Sequence, residues 1–600
     1  MTGVFVQHLE PLYGASTAAT VARRISDLLQ AWRPRLPRRP AQRGGLGLTQ
    51  RDALLITYAD QVREPGVTPL RTLAEFCGHH LNGSVSGVHL LPFYPSSSDD
   101  GFSVKDFLAV DPASGTWEDI ARLGADFDLM FDAVFNHVSA QGEWLQRFLV
   151  EDPEYRDFFI VVEGDPDLSQ VVRPRALPLL AEFQTARGPK RVWTTFSADQ
   201  VDLNFKNPEV LLAVLEALLF YAAKGARFIR LDAVAFLWKE IGTTCLHRPQ
   251  THRIIQLMRA VLDDVAPHVQ LITETNVPHA DNLSYFGDGA NEAQLVYNFA
   301  LPPLVLHAMA TGNAEKLTRW AQSLALPSDR VTFLNFLASH DGIGLNPVRG
   351  ILSDSEIEAL VRRTLEHGGF ISYKDMPDGS RLPYELNINY LDVLSDPAAN
   401  EPSERAACKF VTAYAILLSL QGVPGLYFHS LFGSRGDQVG ADASGIPRRI
   451  NRQKLDRARL EEELADPGSV RAQVLRGLLR LLAVRRAQQA FGPRSAQRIP
   501  ALDARVFAVL REPPEAGEPV LCLHSVSADS VSVPLPRGER FRGGCWTDLT
   551  AGENPVPAAE GAALTLGPHE FRWLSWRGWE DRLTQALAQN RSRNQRLVRG

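Results

Sequence analysis

The chain has 600 residues, with 63 Lys+Arg against 69 Asp+Glu and a formal net charge of −6. A mildly acidic balance supplies no basic surplus to neutralise phosphates, which argues against a nucleic-acid partner. Five cysteines, far apart and never in CxxC, give neither a disulfide framework nor a zinc site and point to the cytoplasm. The N-terminus shows no basic-then-apolar signal pattern. No apolar run approaches the ~18 residues of a membrane span, so secretion and membrane insertion are not expected.

The first fifty residues read as an extension. Ser16 can cap a helix over about Thr17–Trp32, with Val21, Ile25, Leu28 and Leu29 at helical spacing. The Pro- and Arg-rich segment 33–40 then reads as a linker. From residue 54 short apolar runs recur: LLITYA (54–59), VSGVHLLPF (85–93), DLMFDAVFNH (128–137), ARFIRLDA (226–233), QLITETN (270–276), LVYNFA (295–300), VTFLNFLASHD (331–341) and VPGLYF (423–428). Non-alternating runs of this kind are strands buried on both faces. Helical patterns such as 208–225 and 252–266 lie between them. The expected fold is a (β/α)8 barrel over 51–495. A doubly wound sheet is the alternative, weakened because no GxGxxG follows an early strand.

The connections 138–207 and 342–407 are too long for ordinary loops. Both leave the C-terminal ends of strands, where barrel sites are built, so both are read as walls of a substrate pocket. Residues 496–577 show short β-like runs between Pro/Gly turns and are expected to form a small all-β domain. The polar, basic segment 578–600 reads as a frayed tail.

Polar residues gather at the strand ends: Asp132, Asn136 and His137 on the third run, Arg230 and Asp232 on the fourth, Glu274 on the fifth, His340 and Asp341 on the seventh. Carboxylates converging on one rim repel and are costly to desolvate, which favours a functional reading. Retaining glycosyl transfer needs a nucleophile and an acid/base on opposite sides of the glycosidic bond. Arg230 shares a strand face with Asp232 and would keep it ionised. Glu274 sits in an apolar run that would raise its pKa, as a general acid requires. Asp341 can hold sugar hydroxyls and stabilise positive charge at the anomeric carbon. His137 and His340 are candidate hydroxyl donors.

The segments DAVFNH, RLDA, ITETN and FLASHD resemble the four signature regions of the α-amylase superfamily. LITYAD (55–60), RPR (173–175), RVWTTFSADQVDLN (191–204), KEIGTTC (239–245), FALPPLVLHA (299–308), SHDGIG (339–344) and RRINR (448–452) narrow the resemblance to the sucrose phosphorylase group. The resemblance implies Asp232 as nucleophile, Glu274 as acid/base and Asp341 as transition-state stabiliser. It implies Asp60 and Arg448 as glucose-holding residues, with His137, Arg230 and His340 beside them. The chain departs from that group where Phe107 stands in a histidine's place and where the acceptor loop reads Tyr384, Glu385, Asn387 within PYELNINY. That loop is similar to relatives acting on glucosylglycerate, glucosylglycerol or sucrose 6′-phosphate. The implied activity is a retaining phosphorylase that transfers glucose from an α-glucoside, glucosylglycerate by preference, to inorganic phosphate. Sucrose itself is a further alternative, and a catalytically inactive carbohydrate-binding barrel is the reading from another class. Arg175 and Arg381 are the candidate anion-binding cations, since an arginine fork suits phosphate. Arg381, with Tyr384 and Asn387 as hydroxyl partners, is also the candidate clamp for a glycerate carboxylate. No metal or cofactor is expected, there being no DxDxDG-type loop. The expected partners are the small glucoside and phosphate, in a monomer or homodimer.

Overall fold

The structure is a computed structural model and describes residues 2–37, 46–174, 177–375, 380–514, 517–537, 541, 544–551, 554–556 and 562–578. Arg175, residues 38–40 of the Pro/Arg-rich linker and the tail 579–600 lie outside the described residues.

All eight apolar runs form strands: β1 Leu54–Thr57, β2 Gly87–Leu90, β3 Asp128–Ala133, β4 Ala226–Leu231, β5 Gln270–Thr273, β6 Leu295–Tyr297, β7 Thr332–Asn335 and β8 Val423–Tyr427. They close into one barrel in chain order, β1 pairing with β8, and every pairing is parallel. Each strand is buried along nearly its whole length because its inner face fills the barrel and its outer face meets helices. The interior is filled by Leu54, Met130, Phe228, Ile272, Leu334 and Val423 from different strands, with Leu46 and Leu48 packed against them. The barrel is therefore a solid core, and a ligand can be held only at its mouth.

The fourth strand shows how the frame is set. Asn207 caps the helix Pro208–Ala223 by accepting from the Glu209 N–H, and Pro208 opens its first turn. That helix is apolar nearly all round and buries Val210, Leu211, Val214, Leu215 and Leu218. At its end Gly225, at φ +94°, turns the chain into β4.

Two long inserts rise over the mouth. The first carries the hairpin Leu180–Thr185/Gly188–Trp193 and a short pair, His137–Ser139 with Gln200–Asp202. The second carries the hairpin Phe370–Asp375/Arg381–Asn387, against which Ile343–Gly344 pairs. After the barrel come a six-stranded sheet and a two-stranded sheet, antiparallel throughout.

The N-terminal segment differs from expectation. It is two helices, Thr2–Tyr13 and Ala15–Trp32, the second starting one residue before Ser16, with Gly14 at the cap position. Ser16 is inside that helix and caps nothing. The buried face of the second helix is Val21, Ile25 and Leu29, and Arg24 reaches Glu209 on the helix before β4.

Candidate active site

Parallel pairing places residues after β3, β4, β5 and β7 on one rim. Asp132 is directly opposite Arg230, and Leu231 opposite Thr273, so Asp232 and Glu274 are the next facing pair. Facing residues on adjacent parallel strands share a side, with backbones about 4.8 Å apart. At Ala233 the chain turns through a left-handed conformation, φ 48° and ψ 29°. For a residue with a Cβ this costs about 1–3 kcal/mol and persists where surrounding structure enforces it. Its effect is to aim the Ala233 N–H at Glu274 Oε2, 3.1 Å away. The backbone just after Asp232 and the Glu274 carboxyl are thus tied together.

Arg230 spans two carboxylates. Its Nη1 donates to Asp132 Oδ1 and, at 2.8 Å, to Asp232 Oδ1. Asp132 is fully buried and also bonded to His89 Nε2 at 2.7 Å, so it holds the guanidinium in place. Asp341 forms an ion pair with Arg448 Nη1 at 2.7 Å and lies 3.3 Å from Arg452 Nη2. These cations hold the Asp341 carboxyl far below the usual range against the opposing cost of burial. Burial pushes the carboxyls of both Asp232 and Glu274 upward, Asp232 strongly, and Arg230 opposes the rise in each. His340 stacks flat on Phe102, with centroids 4.9 Å apart, and burial lowers its pKa to about 3, so the ring is neutral. His137 is likewise lowered by burial, its Nε2 2.9 Å from the Phe102 carbonyl oxygen and its Nδ1 accepting from Asn136 at 3.1 Å.

Asp232, Glu274, Asp341, His137, His340 and Arg448 all line one cavity of about 380 Å³. Arg230 lies just beneath it. Tyr384 and Glu385 of the second insert form part of its wall, and Glu385 is fixed by the Gly342 N–H at 2.8 Å and Arg448 Nε at 3.1 Å.

Three expected site residues fall elsewhere. Asp60 does not line the cavity: Lys454 and Arg63 take its carboxylate, each at 2.6 Å. The chain after β1 runs into a short parallel pairing of Val62–Arg63 with Leu455–Asp456, which draws Asp60 to Lys454. Asn387 is buried in the hairpin, its amide donating to Ser372 Oγ at 2.8 Å. Arg381 is exposed at the outer end of the same hairpin, its guanidinium 5.5 Å from the Tyr373 ring centroid. Phe107 packs on Phe135 and Trp144, at 5.6 and 5.4 Å, as a core residue.

Other residues line the cavity instead. Asp99 lines the cavity, next to Asp100, which Arg452 holds at 2.7 Å. Asp99 and Asp100 both adopt positive φ, 53° and 48°, strain of the kind concentrated at binding sites. Gly101 follows at φ 109°, where an added Cβ would sit 2.6 Å from the Pro92 carbonyl oxygen. The signal in the sequence was Asp-Asp-Gly-Phe just beyond the end of β2. Gln200, Arg173, Arg349 and Lys374 also line the cavity. The last three are cations of the cavity wall, which Arg381 is not.

A closed parallel barrel with clustered carboxylates after β4, β5 and β7 defines an enzyme of the glycosidase type. The sequence family "Alpha amylase, catalytic domain" matches residues 83–342, and "Maltogenic Amylase, C-terminal domain" matches 498–573. The chain is 56% identical over 494 residues to the glucosylglycerate phosphorylase of Allomeiothermus silvanus, spanning 82% of this chain and 87% of that one. It is 49% identical to the protein of the same name from Spirochaeta thermophila, over 94% and 97% of the two chains. Among solved structures, the sucrose 6F-phosphate phosphorylase of Thermoanaerobacter thermosaccharolyticum superposes with a TM-score of 0.70 at 22% identity, over 86% of this chain and 98% of that one. The chain belongs to the α-amylase superfamily, in its sucrose phosphorylase-like group.

Proposed function

We propose that the protein is a glucosylglycerate phosphorylase, an α-glucosyl transferase working by double displacement with retention. The observation that carries the mechanism is the facing pair Asp232 and Glu274, one bonded to Arg230 and the other to the Ala233 N–H. The class of substrate is supported by the 47–56% identity to three proteins named glucosylglycerate phosphorylase.

In the first step the Asp232 carboxylate attacks the anomeric carbon. Glu274 gives its proton to the departing glycerate oxygen, and the glucosyl group becomes an ester of Asp232. Two carboxyls this close titrate as a unit. Burial raises both, Asp232 the more strongly; the direct guanidinium bond to Asp232 supports its acting as the carboxylate and Glu274 as the proton carrier. In the second step an oxygen of monohydrogen phosphate attacks the same carbon from the vacated side. Its proton passes to Glu274, Asp232 leaves as carboxylate, and α-glucose 1-phosphate departs. Asp341, kept ionised by Arg448 and Arg452, faces the positive charge that develops on the sugar in both steps. Asp99 and His340 are the hydroxyl partners of the glucose ring. All five cysteines are free and four are buried, which supports the cytoplasm as the compartment. Among the described residues no helix is long and apolar enough to cross a membrane.

The test is phosphate release from α-glucose 1-phosphate in the presence of glycerate, glycerol, fructose or fructose 6-phosphate. Glycerate should be preferred by at least tenfold in kcat/KM. Preference for any of the other three would replace the assigned substrate.

A further inference from the structure

The second insert brings two cations to the cavity mouth with no counter-ion among the described residues. Lys374 is near the end of the strand Phe370–Asp375 and pairs with Leu382 across the hairpin. Arg349 lies on the segment that follows β7, and its Nη2 donates to the carbonyl oxygen of Pro383 at 2.7 Å. Pro383 is opposite Tyr373, so the hairpin's own register sets the guanidinium beside Lys374. Both side chains line the cavity and both are half-buried. The proximity of Arg349 and the desolvation of Lys374 both depress the lysine's pKa.

Among the described residues neither cation forms an ion pair. Two carboxylates of the cavity wall are held by another cation: Asp341 and Glu385 pair with Arg448, at 2.7 and 3.1 Å. The Arg349 Nε is buried with no hydrogen-bond acceptor, and so are the acceptors Asn276 Oδ1 and Asn346 Oδ1, which lack donors. Asn276 and Asn346 line the same cavity as Glu274 and Arg349. Two like charges held together and partly desolvated are unfavourable unless an anion joins them. The cavity therefore offers two cations for a carboxylate and two amide oxygens for hydroxyl groups, the groups that a small hydroxy acid carries.

We propose that Arg349 and Lys374 form the anion seat of the leaving-group subsite and hold the glycerate carboxylate, while Asn276 and Asn346 accept from its hydroxyls. The proposal rests on the glucosylglycerate reading and names what enforces it. The ligand chemistry is that of a small oxyanion. Phosphate has the same chemistry and reaches the same end of the cavity after glycerate leaves.

The experiment uses α-glucosyl fluoride as donor, so that the donor carries neither the carboxylate nor the phosphate under test. Transfer to glycerate, glycerol and phosphate is measured with Lys374→Met, Lys374→Arg and Arg349→Gln. Hydrolysis of the fluoride alone reports folding and intact chemistry. Lys374→Met should raise the glycerate KM about ten- to a hundredfold, leave glycerol within about threefold and keep fluoride hydrolysis. Lys374→Arg should recover most of the loss, and Arg349→Gln should behave as Lys374→Met. A parallel rise in phosphate KM means the seat serves both anions in turn; an unchanged phosphate KM means it serves glycerate alone. Equal losses on glycerate and glycerol, or a loss confined to phosphate, would overturn the seat. A wild-type enzyme that prefers glycerol would sink the glucosylglycerate reading itself, whatever the variants do.

Discussion

Lys239→Met should be among the most damaging single changes that leave the cavity wall untouched. The Lys239 side chain is 2% exposed, with its ammonium 2.6 Å from Asp202 and 2.7 Å from Asn136 Oδ1. Asp202 is fully buried and also accepts from the Thr195 N–H at 2.7 Å, the Thr195 hydroxyl at 2.6 Å and Asn136 Nδ2 at 3.1 Å. Removing the cation leaves a carboxylate in the interior with three neutral donors. Breaking a buried pair from one side costs about 3–5 kcal/mol. Three surviving hydrogen bonds place this case at the lower end, about 3 kcal/mol. The damage should reach the site, because Asn136 orients His137 and Thr195 precedes Phe196, both in the cavity wall. Equilibrium denaturation measures the first effect and kcat/KM the second. Asp202→Asn combined with Lys239→Met removes both charges and keeps the two Thr195 contacts, the amide oxygen accepting from the N–H and the amide nitrogen donating to the hydroxyl, so the double variant should be more stable than the sum of the single losses by at least about 1 kcal/mol. A single-variant loss below about 1 kcal/mol, or strict additivity, would refute the claim that this pair supports the site.

Asp232→Asn should lose transglucosylation by several orders of magnitude, whereas Glu274→Gln should fail mainly with donors whose leaving group needs a proton; initial rates with glucosylglycerate and with α-glucosyl fluoride separate the two. Asp99→Ala should raise the KM of every glucosyl donor about ten- to a hundredfold, while Asp60→Asn stays within about threefold; the reverse ranking would return the glucose contact to Asp60. Thermal stability should fall as the pH drops below 6.5. Buried His340 and His429 are held near 3, and His524 near 4, so the unfolded chain takes up protons that the native one refuses. A melting temperature flat between pH 6.5 and 4 would contradict this.

The barrel was legible because each strand is buried on both faces, so its apolar run needs no tertiary information to be read. Asp232, Glu274 and Asp341 were legible for a related reason: a charged residue directly after such a run has only the barrel mouth to enter. Legibility failed where a side chain's direction depends on a distant segment. Asp60 ends the first run as plausibly as Asp232 ends the fourth, but Lys454, nearly four hundred residues later, claims it. Arg381 and Lys374 are on the same hairpin, and only its pairing with the segment after β7 decides which faces the cavity. The helix Thr2–Tyr13 was hidden by Pro11, which sits inside it, and by Gly14, which separates it from the next. Its Phe5 and Leu9 are buried, which offsets the penalty of the internal proline.

The central claim is glucosyl transfer from glucosylglycerate to phosphate with retention through Asp232. The most direct measurement is to incubate the protein with glucosylglycerate and inorganic phosphate and follow the anomeric proton and the phosphorus signal by NMR. The expected products are α-glucose 1-phosphate and glycerate in equal amounts, with free glucose a minor product. The β-anomer, or glucose and glycerate released without consumption of phosphate, would contradict it.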